Sequence, residues 1–319
     1  MNAAEPVYCV IVPVYNEEAG LQAFHSRLAA TMEGVGETWE VLYVNDGSVD
    51  ASLSVMQWLK ASDRHVSLLN LSRNFGKEIA ISAGLDHGRG QAVIVIDADL
   101  QDPPEVIPQL IDGWRSGSDM VYAQRRAREG ETWLKRTTAT YFYRLMRHTG
   151  HVSLPHDTGD FRLMSRRVVD AVRQMREQHR FMKGMFAWVG YPSMAVLYDR
   201  APRHAGTTKW TYWRLWNLAL EGITSFTVMP LKVATYLGLV VAIFALVYFA
   251  YIVGLTLLYG NPVAGYPSLL AVILVLGAVQ MITLGIIGEY LGRVFNETKG
   301  RPLYLVERYQ ASQTTQGDT

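Results

Sequence analysis

Short apolar runs alternate with amphipathic stretches from Val7 to Ala123. Val7–Val14, Trp39–Asn45, Val66–Leu71, Ala92–Asp97 and Met120–Ala123 read as strands. Between them Ala19–Met32, Val49–Leu59 and Lys77–His87 read as helices. Pro103-Pro104 opens another helix, because the first turn tolerates proline. Its Val106, Leu110, Ile111 and Trp114 share one face, and Gly117 ends it. Repeated strand–helix units predict an α/β fold with a mostly parallel sheet and helices on both faces. Ligands in such sheets sit at the carboxyl ends of the strands. The polar clusters fall there: Tyr15-Asn16-Glu17, Asn45-Asp46-Gly47-Ser48 and Asp97-Ala98-Asp99.

The pattern then changes. Trp133–His148 reads as a helix with a basic start, and Phe161–Met164 and Met194–Tyr198 as short strands. Thr211–Val228 is rich in Trp and Leu with few charges, which suits one or two interfacial amphipathic helices. Residues 233–288 contain no Asp, Glu, Lys or Arg. A helix crosses the hydrocarbon with about 20 apolar residues, so this stretch has room for two spans. Tyr259-Gly260-Asn261-Pro262 marks the break, giving helices near Val233–Tyr259 and Pro267–Gly288. A buried hairpin in a large soluble protein is the alternative, disfavoured by so long a run without charge. Lys232 precedes the first helix, and Arg293, Lys299 and Arg301 follow the second, so both ends are expected on the cytoplasmic side. Met1–Pro6 lacks the basic and apolar segments of a secretory leader, so the first folded segment is expected to remain in the cytoplasm. The expected division is a catalytic domain over 1–208, interfacial helices over 209–231, two transmembrane helices over 232–290 and a cytoplasmic tail over 291–319, polar and disordered after Tyr309.

Charge adds little: 30 Lys and Arg against 29 Asp and Glu argue against bulk nucleic-acid binding. The one cysteine, Cys9, lies in an apolar run and reads as a core thiol. The eight histidines show no metal-ligand spacing.

Three clusters carry candidate chemistry. Asp97 and Asp99 leave a strand end at a spacing where two carboxylates repel unless a cation lies between them. A hard divalent ion bridging a diphosphate needs only one or two such carboxylates. Asp46 can accept hydrogen bonds from a base or ribose, and Gly47 permits close backbone approach. Taken singly, each cluster also reads as an ordinary turn or helix cap. Arg125, Arg126, Arg128, Lys135 and Arg136 form a basic cluster, and Arg203 and Lys209 a second. Arginine forks suit phosphate oxygens, and Arg125, Arg136, Arg203 and Lys209 are the chosen acceptor or diphosphate contacts.

In their order, Ile11-Val12-Pro13-Val14-Tyr15-Asn16-Glu17, Asn45-Asp46-Gly47-Ser48, Arg73-Asn74-Phe75-Gly76-Lys77 and Asp97-Ala98-Asp99-Leu100-Gln101-Asp102-Pro103-Pro104-Glu105 are specific. The chain resembles the inverting nucleotide-sugar glycosyltransferases of family 2, with the Rossmann-like GT-A fold. Thr158-Gly159-Asp160-Phe161-Arg162-Leu163, Arg203-His204-Ala205-Gly206-Thr207-Thr208-Lys209-Trp210, Gly288-Glu289-Tyr290-Leu291-Gly292-Arg293 and Arg301-Pro302-Leu303-Tyr304 point within it to the polyisoprenyl-phosphate glycosyltransferases, similar to dolichol-phosphate mannose synthase and its bacterial undecaprenyl-phosphate glucosyl relatives.

The resemblance implies that Pro13, Tyr15, Glu17, Asp46, Ser48, Lys77 and Ala98 bind the nucleotide sugar. It implies that Asp97, Asp99 and Gln101 meet the metal, Mg2+ or Mn2+, and the donor diphosphate. Asp99 and Asp160 are the catalytic candidates, with Asp160 near the anomeric carbon as a general base or as an orienting group. The implied acceptor is a membrane-borne polyisoprenyl phosphate, undecaprenyl phosphate in a bacterial inner membrane, and the first choice of donor is UDP-glucose. A flippase and a second glycosyltransferase would act downstream, and the glycine-bearing hairpin could pair with copies of itself. Asn45 departs from the family pattern, which often has Asp there, so it receives no metal role. The Gln-x-x-Arg-Trp motif of processive synthases is missing, which points to single sugar transfer. The rivals are a polysaccharide synthase and a non-catalytic membrane scaffold.

Overall fold

A computed structural model of the chain describes residues 6–126, 158–178, 180–199, 229–259 and 265–313. The chain divides into two compact units, Met1–Trp216 with Pro302–Thr319, and Asn217–Arg301.

The first unit is built on an eight-stranded sheet. Its strands are β1 (Tyr8–Val14), β2 (Trp39–Asn45), β3 (Val66–Leu71), β4 (Ala92–Val95), β5 (Met120–Arg125), β6 (Thr158–Ser165), β7 (Ser193–Tyr198) and β8 (Val306–Gln310). They lie in the order β7-β5-β6-β4-β1-β2-β3-β8. The pairs β1–β2, β1–β4, β2–β3 and β5–β7 are parallel, while β4–β6, β5–β6 and β3–β8 are antiparallel. The sheet is therefore mixed, with its parallel core where the strand–helix alternation predicted it.

Two faces need covering, which is why β2, β3 and β4 are buried throughout rather than alternating. On one face Tyr8, Val10, Val12 and Val14 pack with Leu21, Phe24, Leu28 and Met32 of α1 (Leu21–Val35), Met56 and Leu59 of α2 (Ser52–Ser62), and Ile107, Leu110 and Ile111 of α4 (Ile107–Arg115). On the other, α3 (Lys77–His87) lies so close to β1 that a Cβ at Gly84 would stand 2.3 Å from Ile11 Cγ2. Two further helices, α5 (Arg166–Gln174) and α6 (Met182–Trp188), were not anticipated. Cys9 is buried as expected.

Several boundaries move. The fourth strand stops at Val95, so Asp97 and Asp99 lie in the loop after it. The helix after Pro103 begins as a 3-10 turn, Pro104–Val106. The largest correction concerns the C-terminal segment, which is ordered through residue 313. Val306–Gln310 forms the edge strand β8 against β3, and the buried Ser312 donates from its N–H to Ser67 Oγ at 2.8 Å and from its hydroxyl to Glu40 Oε2 at 3.0 Å. A charged edge strand looks like a tail in sequence, because only its backbone needs the sheet.

The second unit holds α7 (Met229–Tyr259) and α8 (Tyr266–Thr298), two helices of 31 and 33 residues. Helix α8 runs past the expected end at Gly288, and Arg293 pairs with Glu289 one turn back at 3.0 Å. Among the described residues only Val275–Thr298 is long and apolar enough to cross a membrane, where two spans were expected; Val233–Ala245 is a shorter apolar stretch. The helices expected at Trp133–His148 and Thr211–Val228 fall outside the described residues.

One stabilising cluster yields a testable pH effect. Asp63 receives His25 Nε2 at 3.1 Å and His65 Nδ1 at 2.8 Å, while His25 Nδ1 meets Tyr43 Oη at 2.9 Å. Burial alone would raise the Asp63 carboxyl; the two imidazoles and the His65 amide outweigh it and hold it well below the carboxylate range. A depressed folded-state value gives stability that is present above about pH 4 and is lost as pH falls further. Asp63→Asn should cost about 2 kcal/mol at pH 7 and flatten the acid limb, read from urea unfolding between pH 3 and 7.

Candidate active site

The loops after β1 and β2 are laced together at the carboxyl end of the sheet. The Asn16 N–H donates to Ser48 Oγ at 3.1 Å, the Val49 N–H to Asn16 Oδ1 at 2.9 Å, and the Glu17 N–H to Ser52 Oγ at 2.8 Å. Asn16 takes φ +56, a left-handed value that asparagine tolerates better than most residues. Tyr15 is left exposed above this corner, Pro13 is half-buried beside Val44, and Glu17 is half-buried.

Asp46 fixes a third loop. Its carboxylate accepts the Phe75 N–H at 2.7 Å and the Gly76 N–H at 3.0 Å, so the turn before α3 is drawn over the end of β2. Burial pushes the Asp46 carboxyl up, against the pull of these two amides. Gly47, at φ +64, makes the approach possible: a Cβ there would lie 2.4 Å from Arg73 C and Asn74 N.

That turn delivers Lys77 to the centre of the site. Its ammonium sits between two carboxylates, 2.7 Å from Asp97 Oδ2 and 2.6 Å from Asp160 Oδ2. The Lys77 side chain is 43% exposed and Asp160 10%, so the lysine runs from the surface to a recessed carboxylate. The second oxygens, Asp97 Oδ1 and Asp160 Oδ1, are buried and have no hydrogen-bond partner. For Asp160, burial acts upward, but Lys77, Lys183 and Arg162 outweigh it and hold the carboxyl low. For Asp97, burial and the neighbouring Asp160 charge win over Lys77 and raise it.

The loop from Ala98 to Asp102 wraps this centre. Ala98 is buried, Leu100 takes φ +59, and the Gln101 N–H turns back to Asp99 Oδ1 at 3.1 Å. Asp102 accepts the Tyr198 hydroxyl, and Arg125 Nε approaches the same hydroxyl at 3.4 Å. The Arg125 Nη2 and Asp102 Oδ2 atoms flank Gly159, where an added Cβ would lie 3.6 and 3.7 Å from them. Arg125 thus stands against Gly159, where the charges of Asp102 and Asp97 also reach its guanidinium. Arg136, Arg203 and Lys209 lie outside the described residues.

Behind Asp160 is a charged layer that the sequence reading missed. Arg162 donates to the Gly159 carbonyl at 2.9 Å and stacks 4.0 Å from the Phe186 ring; burial pulls its guanidinium down to about 10. Lys183 donates to the Thr158 carbonyl at 3.0 Å. Burial, then the Asp160 charge, raises Glu78 to about 7. Lys183 and Tyr198 carried no sequence signal, since neither falls within the motifs that define the strand-end clusters. Glu78, next to Lys77, could have been found from its place in the first turn of α3.

The donor set fits a divalent cation. Asp97 keeps one buried carboxylate oxygen without a partner, and Asp99 follows two residues on in the same loop, which is the kind of oxygen pair a divalent cation bridging a diphosphate takes. Among the described residues there is no group of three or more His, Cys, Asp or Glu side chains arranged to hold a metal, so a cation here would need oxygens from its ligand. Asn45 uses both ends of its amide, accepting the Ser48 N–H at 3.1 Å and donating to Asn70 Oδ1 at 2.6 Å.

Comparison with known proteins agrees with this architecture. Residues 9–173 match the glycosyl transferase family 2 model, and residues 229–294 match the GtrB C-terminal hairpin. An uncharacterized glycosyltransferase of Synechocystis sp. is 53% identical over 93% of each chain. A prophage bactoprenol glucosyl transferase homolog of Escherichia coli is 50% identical over 94% of this chain and 98% of its own. The bactoprenol glucosyl transferase of Shigella phage SfV is 49% identical over 93% and 97%. Among solved structures, glucosyl-3-phosphoglycerate synthase from Mycobacterium tuberculosis aligns with a TM-score of 0.46 at 18% identity, over 69% of this chain and 78% of that one, too distant to carry anything further. The match to the family model and the near-full-length relatives place this chain in glycosyl transferase family 2, with a GtrB-type hairpin following its catalytic unit.

Proposed function

We propose that the chain transfers one sugar, with inversion, from a nucleoside diphosphate sugar to a polyisoprenyl phosphate at the cytoplasmic face of a membrane. The observation that carries this is the Lys77 clasp: an ammonium held between Asp97, in the loop after β4, and Asp160 of β6, beside a corner formed by Tyr15, Asp46 and Ser48. The names of the relatives favour glucose as the sugar and undecaprenyl phosphate as the lipid.

Tyr15, Glu17, Asp46 and Ser48 are assigned to the nucleoside, with Pro13 and Ala98 shaping the floor. Asp97, Asp99 and Gln101 would hold Mg2+ or Mn2+ against the diphosphate, and that ion supplies neutralisation of the charge developing on the leaving group. Lys77 adds fixed positive charge beside Asp97 and keeps Asp160 in place. The acceptor phosphate is already ionised near neutral pH, so its attack on the anomeric carbon needs no proton removed. Asp160 is therefore assigned to orienting the sugar and acceptor. Arg125, beside Gly159, is assigned to the acceptor phosphate, joined by Arg136, Arg203 and Lys209. The pair α7 and α8 is read as a two-span hairpin that holds the catalytic unit at the lipid surface, with both ends cytoplasmic; the uncharged stretch 233–288 supports this.

Arg125→Ala is expected to raise the KM for polyprenyl phosphate about tenfold while leaving nucleotide affinity within about twofold. The class of reaction is tested by the product. Mass spectrometry of the lipid after incubation with UDP-glucose should show addition of a single hexose, and proton NMR should show a β linkage. Oligosaccharide ladders on the lipid, or an α linkage, would defeat the single-inversion reading.

A further inference from the structure

A hydrogen-bond relay runs from the C-terminal edge strand to the nucleotide corner. Glu307 Oε2 accepts Asn70 Nδ2 at 2.6 Å, Asn70 Oδ1 accepts Asn45 Nδ2 at 2.6 Å, and Asn45 Oδ1 accepts the Ser48 N–H at 3.1 Å. Ser48 Oγ in turn accepts the Asn16 N–H. Asn45 and Asn70 are neighbours in register on β2 and β3. Opposite them the register of β8 shifts: Asn70 pairs with Arg308 and Leu71 with Val306, which leaves Glu307 as the extra residue of a bulge. Bulges re-aim side chains, and this one turns the Glu307 carboxylate onto Asn70.

The relay has one possible polarity. A backbone N–H only donates, so Asn45 must offer its oxygen to Ser48 and its NH2 to Asn70. Asn70 must then offer its oxygen to Asn45 and its NH2 outward, to a group that accepts. An ionised carboxylate only accepts, so Glu307 matches the far end as the Ser48 N–H matches the near end. Asn45 is 1% exposed and Asn70 9%, so water is poorly placed to substitute within the relay.

We infer that Glu307 is a positioning residue for the donor site: by fixing the direction of both buried amides it holds the Ser48 corner in its nucleotide-binding shape. This rests on the proposed donor role of Ser48. A hydrogen-bond donor at position 307 would force the amides to turn and set NH2 against N–H at Ser48. Replacing Asn45 by a carboxylate would reverse the demand. The new side chain would accept from both Ser48 and Asn70, and Asn70 would then present its oxygen to position 307.

The test is a cycle of variants in the full-length protein in nanodiscs, with two readouts: hydrogen exchange at the Ser48 amide without ligand, and the Kd for UDP with Mg2+. Glu307→Lys should speed Ser48 exchange and weaken UDP about tenfold, while Asn45→Asp, which still accepts the Ser48 N–H, should leave both readouts within about threefold of wild type. Combining Asn45→Asp with Glu307→Lys should return both readouts to within about threefold of wild type. Glu307→Gln should stay near wild type, since its carbonyl can still accept from Asn70. Unchanged Ser48 exchange in Glu307→Lys, or a double variant that keeps the full loss of Glu307→Lys, would overturn the relay. Failure of the wild-type protein to bind UDP would instead defeat the nucleotide-site reading, and the exchange measurements would still decide whether Glu307 sets the corner.

Discussion

Lys77→Met is expected to lower turnover on the order of 100-fold, the scale of removing one charge-stabilising donor from an active site. The ammonium is the shared partner of Asp97 and Asp160, at 2.7 and 2.6 Å, and each carboxylate keeps a second oxygen buried without a partner. Methionine fills the same stem but leaves two carboxylates facing each other with nothing between them. Asp160 then loses the contact that aims it, and the site loses the fixed positive charge between its two carboxylates. Lys77→Arg should recover only part of the activity, because a planar fork cannot replace a compact ammonium between two such close oxygens. Steady-state kinetics on both variants check this, with circular dichroism confirming the fold. Turnover within about threefold of wild type in Lys77→Met would remove the clasp from the mechanism.

Gly47→Ala is expected to have the second large effect, for a steric reason. At φ +64 any other residue is strained, and the new methyl would meet the backbone of Arg73 and Asn74 at 2.4 Å. Backbone atoms cannot swing aside as a side chain can. The turn that carries Phe75 and Gly76 must retreat, which breaks both N–H hydrogen bonds to Asp46 and displaces Lys77, the next residue along. The loss should be about 2–4 kcal/mol in stability, with donor KM raised more than about tenfold. Thermal unfolding together with UDP-sugar kinetics measures the two parts. A variant with wild-type melting and donor KM would mean that the Arg73–Gly76 turn has slack that the structure does not show.

The contrast between these residues explains what sequence could reveal. The parallel core was legible because strands covered on both faces must be apolar throughout, as in Val66–Leu71 and Ala92–Val95. Strand β8 was not, because an edge strand shows the sheet its backbone while Glu307, Arg308 and Tyr309 stay exposed. Helix α5 hid behind its charge, with three valines among arginines. In the site, Asp46, Asp97, Asp99 and Asp160 could be named from their motifs, but the pairing of Lys77 with Asp160 spans β4, α4 and β5 and leaves no trace in spacing. Tyr198 and Lys183 reach the site only through the fold. Asn45 was readable as a departure from the family pattern, but its use in a relay to Glu307 required the register of β2, β3 and β8.

Lipid glycosylation by the purified full-length chain tests the proposed reaction most directly. The measurement is transfer of labelled glucose from UDP-glucose to undecaprenyl phosphate in proteoliposomes with Mg2+ or Mn2+, with Asp99→Ala alongside. The account predicts a lipid-linked monosaccharide that needs the metal and is absent in the variant. Undiminished transfer by Asp99→Ala, or none by the wild-type chain across a panel of nucleotide sugars, would contradict it.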